Sequence, residues 1–129
     1  MAKKKSLMDY HDDYIEYSRI QEEATFTGDY KASNKTYKKM QKILALAIES
    51  DEKEKFFLDI LDRASDATTL THCCADMMKL NIQPKLARER LEEMIRTKKI
   101  KGKECHPIFV SDAKLFLEEW DKGHIKPIV

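Results

Sequence analysis

The chain reads as an all-α protein of about six helices, arranged as stacked antiparallel helical hairpins. Three observations predict that class. Apolar residues recur at spacings of three and four through most of the 129 residues, the period of an amphipathic helix. Only three glycines and three prolines are present, too few for the many tight turns of a β-rich fold. Cap-forming residues stand where the periodic runs begin, and glycines follow the first and last of them.

The first helix is expected from about Ser6 to Thr25, with Tyr10, Tyr14, Tyr17 and Ala24 on one side, away from Asp12, Asp13, Glu16, Glu22 and Glu23. Gly28-Asp29 breaks it. A second helix follows from about Asp29 to Glu49, its apolar stripe formed by Tyr30, Tyr37, Met40, Leu44, Ala47 and Ile48. Asp51 with Glu54 matches a capping box, which starts a third helix carrying Phe57, Leu58, Ile60 and Leu61.

Ser65 or Asp66 can cap a fourth helix that bears Ala67, Leu70, Cys74, Met77 and Leu80. Pro84 suits the first turn of a fifth helix with Ala87, Leu91, Met94 and Ile95. The brief Asn81-Ile82-Gln83 link makes the fourth and fifth helices a hairpin, the unit that stacks in helical-repeat proteins. The stretch from Lys98 to Pro107 loses the helical period and contains Gly102, so it is expected to be a loop. Ile108-Phe109-Val110 could form a short extended piece. Ser111 then caps the last helix, with Ala113, Phe116, Leu117 and Trp120, and Gly123 is placed to end it in the left-handed conformation.

Length and charge narrow the function. A chain of this size fits a single helical domain, 1–129, with the basic segment 1–5 (Met-Ala-Lys-Lys-Lys) expected to be disordered. With 24 basic residues against 23 acidic ones, the net charge of +1 excludes a global field for nucleic acid or membrane, though local patches remain. No apolar run approaches the roughly 20 residues that span a bilayer. Three cysteines, two of them the neighbours Cys73 and Cys74, point to a reducing compartment and a cytoplasmic protein.

From Ser65 onward the residues Cys74-Ala75, Leu80, Pro84, Ala87-Arg88, Leu91, Asp112-Ala113, Leu117, Trp120, Gly123 and Pro127, with Asn34, Tyr37 and Met40 upstream, form a recognisable pattern. In these the chain resembles a bacterial domain-of-unknown-function family of small HEAT/armadillo-like helical proteins. The ending "DA…L…W…G…KP" is its most distinctive part, whereas the basic loop before Asp112 departs from the family. The resemblance implies a stack of helical hairpins. Small helical proteins of this look also serve as immunity partners that cover the active site of an antibacterial toxin, an analogy at the level of fold.

His72-Cys73-Cys74 and Cys105-His106 look like halves of a zinc site, but neighbours on a helix diverge by about 100° and cannot both face one ion easily. Buried helical cysteine is the expected state. The same divergence disfavours His72 as a base for Cys73; Cys105 with His106 is a weaker pairing of the same kind. The sequence has no phosphate-binding glycine loop, nucleophile elbow or metalloprotease motif. A non-enzymatic binding protein is therefore expected, with no metal or cofactor. The tyrosine stripe and Trp120 read as core-facing.

Charge supplies the candidate surface. Lys31, Lys35, Lys38 and Lys42 recur at spacings of four, three and four, beside Lys39, with no acid between them. A second cluster is Arg96, Lys98, Lys99, Lys101 and Lys103. Asp12, Asp13 and Glu16 form an acidic patch, and Glu118, Glu119 and Asp121 another. The candidate partner-binding residues are thus Asp12, Asp13, Glu16, Lys35, Lys38, Lys42, Lys99, Lys101, Glu118 and Glu119. The expected partner is a protein, such as a toxin domain whose phosphate site the carboxylates could occupy. The alternative is nucleic acid held along the two lysine clusters.

Overall fold

The structure is a computed structural model that describes residues 6–128. The basic segment 1–5 lies outside the described residues. The described chain is 76% helical and its strands are two residues each, so the class is all-α. It divides into two compact units, Met1–Arg63 and Ala64–Val129.

The first unit opens on a 3-10 turn, Leu7–Tyr10, which the sequence had suggested as the start of the first helix. Ser6 N–H donates to the Asp9 carboxylate at 2.8 Å, half of a capping box. The α-helix proper, α1, spans His11–Thr27 and stops at Gly28, whose φ of 73° lets its N–H reach Ala24 O at 2.8 Å. Asp29 then caps α2 (Tyr30–Ile48) by accepting from Ala32 N at 3.1 Å. The two helices, separated by this short turn, pack as a hairpin.

The buried stripe of α2 is Thr36, Met40, Ile43, Leu44 and Ala47. Tyr30 and Tyr37, assigned to that stripe by spacing, are instead 80% and 57% exposed, and Ile48 is also exposed. Residues 36, 40, 43, 44 and 47 fix the inward direction at 100° per residue, and these three fall on its flank. The Thr36 hydroxyl, buried in their place, donates to Ala32 O and Ser33 O, so the polar group is satisfied.

Helix α3 (Lys53–Arg63) is preceded by a turn in which the Ser50 hydroxyl accepts from Glu52 N at 3.1 Å. It adds Phe56, Phe57, Ile60 and Leu61 to the core. Phe56 and Phe57 meet edge-on at 5.0 Å, and both set their rings edge-on to Tyr14 of α1. The His11 ring stacks on Phe56 at 5.0 Å. This aromatic cluster is the centre of the unit.

In the second unit Asp66, not Ser65, caps α4 (Ala67–Lys79): its carboxylate accepts from Thr69 N and Thr69 Oγ1 at 3.0 and 2.7 Å. The link to α5 (Pro84–Thr97) holds Asn81 and Gln83 at positive φ and buries Ile82, whose N–H reaches Met77 O. Cys73 and Cys74 both lie fully inside, as do Met77 of the same helix and Ala87 and Leu91 of α5.

The stretch 98–107 is not an open loop. Lys99–Ile100 (β1) pairs antiparallel with Lys103–Glu104 (β2) around Lys101 and Gly102, both at positive φ, the geometry two-residue hairpin turns need. The last helix, α6 (Pro107–Asp121), also starts earlier than Ser111. His106 Nδ1 accepts from Ile108 N at 3.2 Å, and Pro107 supplies the preset φ of a first helical residue. Ile108-Phe109-Val110 is therefore helical, with Phe109, Val110, Ala113 and Leu117 turned inward. Gly123 ends α6 as expected, at φ 76°, while His124 N–H reaches back to Glu119 O.

Candidate functional site

Helix α2 carries the most one-sided charge among the described helices. Its 19 residues include five lysines and no acid. At 100° per residue, Lys31, Lys35, Lys38 and Lys42 fall within a sector of about 60°, directly opposite the buried stripe. All four are exposed, and none makes an ion pair or side-chain hydrogen bond among the described residues. Lys39, half-buried on the edge of this stripe, sets its Nζ 5.2 Å from the centre of the Tyr17 ring.

Aromatic side chains flank the lysines. Tyr30 and Tyr37 stand seven residues apart on one line of the helix, and Phe26 at the end of α1 is 58% exposed. On the opposite flank Tyr10 and Tyr17, with Lys39, Lys42, Ile43 and Leu46 of α2, line an open slot of about 150 Å³. The tyrosine stripe is thus split: Tyr14 is fully buried in the core, whereas Tyr10 and Tyr17 are half-buried walls of this slot.

The acidic candidates stand differently. Asp12 is held by Arg63 at 2.6 Å, and that guanidinium, by hydrogen bond and by charge, keeps its carboxyl below the ordinary range. Asp12 and Glu16 line a neighbouring cleft of about 280 Å³ with Ile15, Arg19 and Arg63. Asp13 is half-buried on the same helix. Glu119 contacts the His124 ring at 2.5 Å, and Asp121 is clasped by both Arg88 nitrogens at 2.8 Å; Glu118 is exposed. Two of the five acidic candidates, Asp12 and Glu119, therefore already carry internal partners, while Lys31, Lys35, Lys38 and Lys42 do not.

Lys99 and Lys101 are exposed on the small hairpin of the second unit, Lys101 at the tip. Lys35, Lys38 and Lys42 belong to the first unit.

Cys73 and Cys74 are buried in α4 beside half-buried His72. Burial pushes the Cys73 thiol well above its usual value, and pushes Cys74 up to about 12. Burial also lowers His72 to about 4, against the pull of Asp66, so the imidazole beside these thiols is neutral at physiological pH. A thiol that stays protonated is a poor nucleophile and a poor metal ligand. His106 spends Nδ1 on the cap of α6. Among the described residues no three of His, Cys, Asp or Glu gather as a metal site, and no helix is long and apolar enough to cross a membrane.

Sequence reasoning missed Tyr30 and Tyr37 as surface groups, although both fall out of phase with the run 36, 40, 43, 44, 47. It missed the slot because its walls come from the opening 3-10 turn, α1 and α2 together. Comparison with protein-family models, curated proteins and solved structures finds no match to this chain.

Proposed function

We propose that the chain is a non-enzymatic protein-binding module of the immunity type, which binds a cognate antibacterial toxin and blocks it by covering its active site. The observation that carries this reading is the outer face of α2: four exposed lysines without internal partners, bordered by Tyr30 and Tyr37. Exposed lysines steer association, and tyrosines supply rigid amphipathic contact area. The resemblance of the sequence to small helical HEAT/armadillo-like proteins lends this reading an analogy at the level of fold, and free cysteines suit a reducing cytoplasm. The contact is cationic on this side, so it pairs with an acidic toxin surface rather than mimicking phosphate with Asp12 and Glu119.

Immunity proteins are encoded beside their toxins, which sets the test. Co-expression with the product of the adjacent reading frame should yield a stoichiometric complex and restore growth. Lys35→Glu with Lys38→Glu should weaken that complex without unfolding the chain. Absence of both complex and protection would refute the proposal.

One observation favours a second reading. Lysines interleaved with exposed tyrosines also suit single-stranded nucleic acid, with phosphates on Lys35 and Lys38 and bases on Tyr30 or Tyr37. Binding would then fall steeply with salt and with removal of Lys35, Lys38 or Lys99. A flat titration against DNA and RNA at low salt ends it.

A further inference from the structure

We infer that the slot walled by Tyr10, Tyr17, Ile43 and Leu46, with Lys39 and Lys42 on its rim, is an anchor pocket for one phenyl-sized apolar side chain flanked by a carboxylate in the partner. The inference rests on the protein-binding reading and deepens it.

Three features of the slot lead there. It is an open recess of about 150 Å³, room for one ring with an edge left toward solvent. Its walls are mainly apolar: two tyrosine rings, a buried isoleucine and a 41% exposed leucine. Its polar groups are cations on one rim. Lys39 lies over the Tyr17 ring, while Lys42 stands in the unpaired stripe. An apolar group entering the slot gains from leaving water, and a carboxylate beside it meets Lys42 without displacing an internal ion pair.

Binding energy in protein interfaces concentrates where an aromatic or aliphatic anchor fills such a recess. The slot adjoins the lysine stripe, so an acidic segment running along α2 brings its anchor to this place. A nucleobase fits less well. The slot is a recess between packed elements rather than an open stacking platform, and a nucleotide's phosphate would compete for the same Lys42, so adenosine monophosphate enters the test as the competing occupant.

The test uses the full chain and a minimal probe, 3-phenylpropionate, followed by amide chemical shifts. The expected result is saturable shifts confined to Tyr10, Tyr17, Lys39, Lys42 and Leu46. A Kd of about a millimolar suits a ligand of about a dozen heavy atoms. The amine analogue 3-phenylpropylamine should bind about fivefold more weakly, the factor that an exposed ion pair of about 1 kcal/mol supplies, and Lys42→Glu should abolish that preference. Scattered or absent shifts, equal binding of the amine, or tighter binding of adenosine monophosphate at the same amides would each overturn the inference. Leu46→Asp, on an exposed wall, should cost the toxin complex at least tenfold in affinity. If that complex forms unchanged, the anchor falls while the protein-binding reading stands. If no complex forms with the wild-type chain, that reading falls, and phenylpropionate binding then describes a small-molecule site.

Discussion

His72 gives the structure a pH dependence that can be worked through in advance. Burial on α4 lowers its pKa from 6.5 to about 4. The folded state therefore refuses a proton that the unfolded chain accepts between those values. For such a group the contribution to stability is fully present above the unfolded pKa and is lost as pH falls toward the folded one. With both pKa values in the linkage relation, protonation of the unfolded chain costs the fold about 2 kcal/mol between pH 7 and pH 5, and about 3 kcal/mol by pH 4. That is a large share of a stability of about 5–15 kcal/mol. The single tryptophan, Trp120, lies in the same unit as His72, so its fluorescence reports the relevant unfolding. Urea titrations at stepped pH should show the midpoint falling on the acid side, and His72→Gln should flatten that slope whatever it does at neutral pH. Titrating carboxylates elsewhere act on both proteins and cancel in the difference. Parallel profiles for the wild type and the variant would refute the assignment of a half-buried, desolvated imidazole that stays neutral.

Other outcomes follow from the same geometry. Phe56→Ala removes the fully buried ring that touches His11, Tyr14 and Phe57, and should destabilise the first unit by about 3–5 kcal/mol, read by near-ultraviolet circular dichroism of its tyrosines. A loss below about 1 kcal/mol would contradict the packing. A thiol reagent should label half-buried Cys105 in the native protein and reach Cys73 and Cys74 only on unfolding. Labelling of all three at one rate would show that α4 is not packed as described. Lys35→Glu with Lys38→Glu should leave the unfolding midpoint nearly unchanged, within about 0.5 kcal/mol per site, because neither lysine has an internal partner. A large shift there would mean that the stripe is structural.

The helices were legible in the sequence because each repeats its apolar residues often enough to define a direction. Leu70, Cys74 and Met77 on α4, or Leu91 and Met94 on α5, leave little choice of face. The ends were less legible. His106 is not a usual capping residue, so the start of α6 was sought at Ser111, and the hairpin at 99–104 is too short to show alternation. Tyr30 and Tyr37 misled for a physical reason: an aromatic ring counts as apolar in any periodic tally, yet its amphipathic edge tolerates water. The lysine stripe was legible as charge. That its members are unspent while Asp12 and Glu119 are engaged depends on Arg63 and His124, residues far from them in sequence or beyond the helix end, and no spacing rule shows that.

Helix α2 also holds its charges in an order that works against itself. Backbone amides at a helix start carry partial positive charge, which favours acids there and bases at the other end. Lys31 sits in the first turn, and the last turn has no base at all. Selection for helix stability alone would reverse this, so a simple exchange, Lys31→Glu, is expected to stabilise the isolated chain by about 0.3–1 kcal/mol. If the same exchange impairs partner binding, α2 is a site of trade-off, where robustness has been given up for recognition. Variants chosen only for higher melting temperature would then drift toward acids at this helix start, and lose the protein's purpose while improving its fold.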